Sequence, residues 1–120
     1  MRVKRLIVGM TGASGAIYGV RLLEILKSLN IETHLVMSPS AEITLGLETT
    51  YKVADLGKIA DVVHSVKNIA ASISSGSFET SGMIVAPCSI KSMSEIATGV
   101  TSNLLTRAAD VTLKQRRTLV

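Results

Sequence analysis

The 120 residues of this chain are enough for one domain with one hydrophobic core, and 1–120 is taken as a single domain. Hydrophobic residues make up 47% of the sequence but aromatic residues only 2%, so the core must be aliphatic and few protein rings are left to stack on a ligand. The net charge of +4 is mild, and basic residues cluster only at 114–117 without interleaved aromatic residues, which argues against a nucleic-acid partner.

The first half of the sequence alternates between strand and helix patterns. The run RLIVGM at 5–10 is short, apolar and bounded by glycine, which predicts a strand buried on both faces. Residues 16–30 carry apolar side chains on one face and charges on the other, which predicts a helix. A second strand is predicted at 32–38 and a second helix at 40–48, with Ser38 as the residue that caps it.

The middle of the chain, 49–78, has weaker patterns, with one short strand predicted around 62–64 and a Ser/Gly loop at 70–78. The other elements are predicted from clear apolar patterns: a strand at 82–87, helices at 89–99 and 102–115, and the beginning of a strand at 118–120. Strands that alternate with helices over short connections predict a mostly parallel sheet with helices on both faces.

The sequence contains no apolar run near the ~18 residues that a membrane span requires, so no span is expected. The single cysteine, Cys88, excludes an internal disulfide and fits a reducing compartment. We therefore expect a cytoplasmic protein.

Small hydroxyl residues and glycines follow three of the predicted strands. TGASG at 11–15 follows the first strand, Ser38 the second, and CSIKS at 88–92 the strand at 82–87. The carboxyl ends of parallel strands meet at one edge of a sheet, and two of these segments lead into helices whose N–H groups favour anions. Each segment alone is equally consistent with packing or capping, but the three together predict a site for an anionic ligand, with Lys91 adding a positive charge.

The glycine spacing excludes two common nucleotide sites. The Walker pattern is absent, and Gly9, Gly12 and Gly15 do not fit G-x-G-x-x-G. The second strand also ends without an acidic residue for an adenosine ribose. A cofactor with one phosphate and no adenosine fits better, and FMN is the obvious candidate.

Five blocks, LIVGMTGASGAIYGVRLL, ETHLVMS, ISSGSF, GMIVAPCSIKS and LLTRAADVTLK, closely resemble the flavin prenyltransferase family of the UbiX type. The resemblance implies a Rossmann-like (flavodoxin-like) three-layer sandwich that joins dimethylallyl phosphate to reduced FMN through a new ring at N5 and C6. It also implies that the prenylated FMN serves a UbiD-type decarboxylase and that the protein forms a homo-oligomer, as large as a dodecamer, with flavin bound where subunits meet.

The resemblance assigns roles to individual residues. The residues that it places in contact with FMN are Gly12, Ala13 and Ser14 in a first turn, Ser38, and Ser89, Ile90, Lys91 and Ser92 in a second turn. It places the hydroxyl of Ser14 near flavin N5, Glu48 near the prenyl phosphate, in its own or a neighbouring subunit, and Lys114 as a ligand of dimethylallyl phosphate. No metal is implied.

Plain structural roles stand beside these assignments. Glu48 is also consistent with a helix-end carboxylate and Lys114 with a solvated charge. Cys88 is expected to be a small packed residue rather than a nucleophile, and His34 and His64 are expected to be structural.

Family members continue past the segment that RRTLV resembles with a V-x-R-E segment, so the chain is expected to lack the family's C-terminal part. Two alternatives use the same scaffold. One is an FMN-dependent cysteine decarboxylase, whose second turn typically reads PASANT where this chain has PCSIKS; SISSGSF also favours prenyl transfer. The other is a flavin-binding accessory subunit without catalysis of its own.

Overall fold

The computed structural model describes residues 4–120. Its strands are β1 (Arg5–Met10), β2 (Glu32–Met37), β3 (Val62–His64), β4 (Gly82–Val85) and β5 (Thr118–Leu119). Its helices are α1 (Ala16–Ser28), α2 (Pro39–Glu48), α3 (Val53–Ile59), α4 (Ile90–Thr98) and α5 (Leu104–Lys114), with a short 3-10 turn at Ser72–Ser74. In the part of the chain that is described, no helix is both long and apolar enough to cross a membrane.

The five strands form one parallel sheet in the order β3-β2-β1-β4-β5. Ile7 of β1 lies opposite His34 of β2 on one side and Met83 of β4 on the other. The chain builds outward from β1 through β2 to β3 and then returns to the other side of β1 to form β4. The carboxyl ends of β1 and β4 are therefore the point at which the strand order reverses, where open α/β sheets bind ligands.

Helices cover both faces of the sheet, as the strand–helix alternation predicted. Against one face, α1, α2 and α3 bury an aliphatic cluster that includes Val8, Leu23, Leu35, Leu45 and Leu56. Against the other face, α5 and the 3-10 turn bury a second cluster, of which Ile7, Val36, Ile73, Met83 and Leu105 are members. The predicted Rossmann-like (flavodoxin-like) three-layer sandwich is confirmed, with all five described strands parallel.

The chain between β2 and β3 departs from the prediction because it holds two helices instead of one. Helix α3 was missed, since Leu56 is its only buried residue and one buried residue makes no periodic pattern. Its start is fixed by Asp55, whose Oδ2 accepts a hydrogen bond of 2.8 Å from Lys52 N. Helix α2 stays at the carboxyl edge of the sheet, where its first turn follows β2 and its last residue, Glu48, contacts the start of α1.

Candidate functional site

A cleft of about 490 Å³ opens at the carboxyl ends of β1, β2 and β4. It is lined by Gly12, Ala13, Ser38, Pro39, Ser40, Ser89, Lys91, Ser92, Glu95 and Asn103. Six of the eight residues predicted to contact a cofactor lie in this wall, and the other two, Ser14 and Ile90, adjoin them in the chain. The cleft occupies the point at which the strand order reverses.

The segment after β1 brings backbone amides to the cleft. A side chain on Gly12 would be impossible, because its Cβ would lie 2.4 Å from Ser40 Cβ, and this close packing leaves the backbone itself as the cleft wall. Within residues 4–120, no protein acceptor bonds the amide nitrogens of Gly12, Ala13 or Ser14. Thr44 Oγ1 donates to the Gly12 carbonyl at 2.9 Å, which fixes the turn on α2.

The N-terminus of α1 is already occupied by a carboxylate. Its N-cap residue, Gly15, has a φ of 108° and no side chain with which to cap the helix. Glu48 Oε1 instead accepts hydrogen bonds of 3.0 Å from Gly15 N and from Ala16 N. The hydroxyl of Ser14 adds a smaller stabilisation of the ionised carboxylate. The structure therefore brings the predicted catalytic pair, Ser14 and Glu48, together within one chain.

These contacts determine the ionisation of Glu48. The hydrogen bond from the amide of Ala16, followed by that from Gly15 and more weakly by that from the Ser14 hydroxyl, holds the pKa of the Glu48 carboxyl below its usual range. Glu48 is therefore a carboxylate at neutral pH. The role of Glu48 at the end of a helix is thus observed as a cap on α1, and its place near the prenyl phosphate stays a prediction.

The N-terminus of α4 has no such carboxylate. Ser89 caps the helix, with its Oγ accepting from Ser92 N at 3.2 Å and donating to Ser92 Oγ at 3.1 Å. In the described chain the amide nitrogens of Ile90 and Lys91 meet no protein acceptor. These two N–H groups lie at the positive end of the helix dipole and are suited to an anion.

Ser38 caps α2, as predicted, because its Oγ accepts a 3.1 Å hydrogen bond from Ala41 N. Its own amide donates to Met10 O at 3.0 Å, which fixes the start of α2 against the end of β1. The amide of Ser40 meets no acceptor among residues 4–120 and faces the same cleft.

Glu95 is a cleft residue that the sequence reasoning missed. Its side chain is 13% exposed and accepts a 2.6 Å hydrogen bond from Ser102 Oγ. That bond, ahead of the weaker effect of Lys91, lowers the pKa of the Glu95 carboxyl. Lys91 Nζ lies 3.7 Å from Glu95 Oε2, so the i,i+4 spacing of the pair could have indicated that a carboxylate accompanies the predicted lysine.

Lys114 lies far from the cleft within one chain. Helix α5 runs antiparallel to the strands: it begins at the carboxyl edge, where Leu104 N donates to Val66 O at 2.9 Å. It ends with Lys114 just before β5, whose Thr118 pairs with Gly82 at the start of β4. Lys114 is exposed at the amino edge of the sheet, so the structure does not bring it to Ser14 and Glu48.

The expectation of a packed Cys88 is wrong, because this residue is exposed beside the cleft. It lies between Pro87 and the α4 cap residue in the chain, and its Sγ contacts Ser89 O at 3.6 Å. Partial burial of the sulfur raises the pKa of the Cys88 thiol. The group is therefore a protonated thiol at neutral pH, and this agrees with the expectation that it is not a nucleophile.

The two histidines lie outside the cleft lining. His34 is 4% exposed within β2, and its Nε2 lies 2.8 Å from Glu32 Oε2 while its Nδ1 lies 2.9 Å from His64 Nε2. Burial, followed by the neighbouring His34, lowers the pKa of His64. The pair bridges β2 and β3, consistent with the structural role expected for both residues.

A parallel α/β sheet with unbonded amides at the reversal of its strand order is typical of proteins that bind phosphate-bearing cofactors. The flavoprotein family model matches residues 1–120, and the chain belongs to that family. Within it, the chain is 60% identical over 119 residues to the flavin prenyltransferase UbiX of Escherichia coli K12, which covers 98% of this chain and 63% of that protein. It is 59% identical over 116 residues to a probable UbiX-like flavin prenyltransferase of Bacillus subtilis, covering 97% of the chain and 57% of the relative.

Two solved structures of UbiX-type proteins are also similar to this chain. The structure described as AnUbiX (PadA1) in complex with FMN and dimethylallyl pyrophosphate has a TM-score of 0.97 and 49% identity, covering 98% of this chain and 63% of its own. A dodecameric FMN-dependent UbiX-like decarboxylase from Escherichia coli O157:H7 has a TM-score of 0.94 and 53% identity. The match covers 96% of this chain and 63% of that protein's chain. The resemblance to UbiX-type proteins is confirmed, and the chain spans somewhat less than two thirds of the length of these relatives.

The peptidyl-cysteine decarboxylase EpiD has a TM-score of 0.68 at 19% identity, with 98% of this chain and 67% of its own covered. At that identity the likeness concerns the fold alone.

Proposed function

We propose that this chain acts as a flavin prenyltransferase, which joins dimethylallyl phosphate to reduced FMN and forms prenylated FMN. The observation that carries the proposal is the set of unbonded amides around one cleft, at 12–14, Ser40, Ile90 and Lys91. The reaction is inferred from the 60% identity to a flavin prenyltransferase. A structural relative is described as a complex with FMN and dimethylallyl pyrophosphate, which supports the same pair of substrates.

The residues of the cleft fit FMN by their chemistry. The amides of Ile90 and Lys91 would hold the phosphate at the α4 dipole, with the ammonium of Lys91 adding positive charge. The backbone at Gly12 would let the flat flavin approach closely, and Glu95 would accept hydrogen bonds from ribityl hydroxyls. Reduced FMN supplies the nitrogen and carbon that receive the dimethylallyl group, while the allylic C–O bond breaks and inorganic phosphate leaves.

Ser14 and Glu48 form the proposed proton-transfer pair. In the proposed path, the Ser14 oxygen would accept a proton released at flavin N5 while the hydroxyl proton of Ser14 passes to the Glu48 carboxylate. Because the pKa of Glu48 is lowered, the group is deprotonated at neutral pH. The pair belongs to one chain, so this part of the site does not depend on a neighbour.

Lys114 could bind the prenyl phosphate only if another copy of the chain supplied it, since it lies at the opposite edge of its own sheet. We propose a homo-oligomer, as large as a dodecamer, in which apolar side chains exposed on α2 and α4 are covered. Leu47 is 81% exposed, Ile90 73% and Met93 53%. We further propose that the protein works in the cytoplasm and that a UbiD-type decarboxylase receives the product.

The test is anaerobic incubation of the protein with reduced FMN and dimethylallyl phosphate, followed by the mass of the extracted flavin. The expected result is a flavin that has gained one dimethylallyl unit, together with one inorganic phosphate per flavin. FMN that binds but keeps its mass would favour an accessory subunit. Release of CO₂ from a peptide with a C-terminal cysteine would favour a cysteine decarboxylase, and failure to bind FMN would refute the proposal.

A further inference from the structure

Thr11 joins the two segments that line the cleft from β1 and β4. The residue follows β1 directly and is 2% exposed. Its Oγ1 donates to Pro87 O at 2.7 Å and accepts from Ser89 N at 2.8 Å, and its own amide donates to Pro87 O at 3.1 Å. The direction of these bonds is fixed, because the amide of Ser89 can only donate and leaves the hydroxyl proton for the Pro87 carbonyl.

The Thr11 side chain makes its connection where the backbone bonds between β1 and β4 end. The last backbone bonds between the two segments run from Ala86 N to Gly9 O at 2.9 Å and from Thr11 N to Pro87 O at 3.1 Å. The hydroxyl of Thr11 continues the connection past the proline by fixing the carbonyl of Pro87 and the amide of Ser89 at the same time.

We propose that Thr11 is a positioning residue, which sets the separation of the two predicted flavin-binding turns at 12–14 and 89–92 without contacting the ligand. The identity of the ligand rests on the proposed function. Gly12 follows Thr11 in the chain, and Ser89 caps the helix whose first amides face the cleft. A ligand that bonds both turns requires a fixed distance between them, and Thr11 provides the hydroxyl bridge that spans it.

Thr11→Val tests the hydroxyl, since the variant keeps the branched shape but leaves the Ser89 amide without its acceptor. We expect the Kd for FMN, measured by flavin fluorescence, to rise about tenfold, as for a buried donor left unbonded. Thr11→Ser retains the hydroxyl, and it should restore the Kd to within about threefold of the original value. If Thr11→Ser bound FMN as weakly as Thr11→Val, the methyl group and not the hydroxyl would matter, and the proposal would be wrong.

Thr112→Val is the matched control. Thr112 is 1% exposed, and its Oγ1 donates to Ala108 O at 2.8 Å within α5, so the variant also loses a buried hydroxyl but touches neither turn. Its Kd for FMN should stay within about twofold of the original. Equal loss of affinity in both valine variants would indicate general destabilisation and would overturn the proposal.

Amide hydrogen exchange without ligand separates this inference from the proposed function. In the full chain, Thr11→Val should speed exchange at the amide of Ser89 by about tenfold, whereas Thr112→Val should not. Unchanged exchange at Ser89 in Thr11→Val would refute the positioning role whatever the ligand is. Faster exchange in a protein that binds no FMN would support the positioning role and remove only the proposed function.

Discussion

Two helices begin at the same edge of the sheet, α1 after β1 and α4 after β4, and their N-termini are used differently. At α1 the cap residue is Gly15, and Glu48 from α2 bonds the amides of Gly15 and Ala16. At α4 the cap residue is Ser89, whose hydroxyl bonds only the amide and hydroxyl of Ser92 within the helix.

The difference decides where an anion can bind. The positive end of α1 is already balanced by a carboxylate, whereas α4 presents the unbonded amides of Ile90 and Lys91 together with the Lys91 ammonium. We therefore expect the FMN phosphate at α4 and the flavin ring near the α1 turn, where Ser14 presents a neutral hydroxyl. The two turns acquire different roles because Glu48, distant in sequence, reaches only the one that leads into α1.

Glu48→Gln should give the largest effect. The amide oxygen of glutamine can still accept from the first amides of α1, so the fold should persist, but the side chain can no longer take up a proton. We expect the rate of flavin conversion at saturating substrates to fall about 100-fold while the Kd for FMN changes little, as for loss of an acid–base group. Single-turnover assays read by flavin mass measure both quantities.

The matched control is Glu42→Gln, which removes an exposed carboxylate from the first turn of the same helix. Its conversion rate should equal that of the unchanged protein. A Glu48→Gln variant that converts flavin at the normal rate would show that the carboxylate on α1 serves only as a cap.

Ser14→Ala tests the other member of the pair. The side chain is exposed and the neighbouring amides still face the cleft, so the fold and most of the FMN affinity should remain. The conversion rate should fall about tenfold, less than for Glu48, because water can replace the lost hydroxyl in the proton path. If this variant instead bound FMN weakly and turned over bound flavin normally, Ser14 would be a binding residue only.

Ile90→Pro removes a single N–H group from the α4 terminus. Proline is tolerated at the first position of a helix, and Ser89 already has the extended backbone that precedes proline favourably, with φ −74° and ψ 157°. The Kd for FMN should rise about fivefold, the value of one hydrogen bond. Ile90→Ala, which keeps the N–H but shortens the side chain, is the control, and its Kd for FMN should rise less than that of Ile90→Pro.

If proline and alanine at position 90 had the same effect on the Kd for FMN, the phosphate would not bind at α4. The conclusion that the end of α4, and not that of α1, is the one open to an anion would then be wrong.

The contrast between the helix ends also separates what the sequence could predict from what it could not. Strands β1, β2 and β4 were predicted within two residues: β1 and β4 are short apolar runs, and β2 ends in the apolar residues LVM between two helical patterns. The turns at 11–15 and 88–92 followed from the ends of those strands. Their placement around one cleft needed only the rule that parallel strands end at one edge.

Local sequence patterns could not predict how the chain runs from β2 to β3. Without α3, nothing in the sequence showed that α2 remains at the carboxyl edge and carries Glu48 to α1. The position of Lys114 was deducible, since a helix that leads into the next parallel strand ends at the amino edge of the sheet. The predicted role of Lys114 in binding dimethylallyl phosphate rests on the resemblance alone.

The smallest effect expected is a difference in how the two helix ends respond to acid. The pKa of Glu48 is lowered in the folded protein, first by the amide of Ala16 and then by that of Gly15. The stabilisation it gives to α1 is therefore complete above the ordinary carboxyl value and is lost as the pH falls through the lowered one. The α4 cap is the hydroxyl of Ser89, which does not titrate.

In ¹H–¹⁵N spectra, the amide resonances of Gly15 and Ala16 should shift together with a midpoint below the ordinary glutamate pKa, and Glu48→Gln should abolish the shift. The amide of Ser92 shares its helix and cleft with Glu95 and not with Glu48, so its response to acid should be the same in Glu48→Gln as in the unchanged protein. If Gly15 showed no titration, or if Glu48→Gln altered the response of Ser92, the two helix ends would not differ in the way proposed, and the assignment of the phosphate to α4 would lose its electrostatic basis.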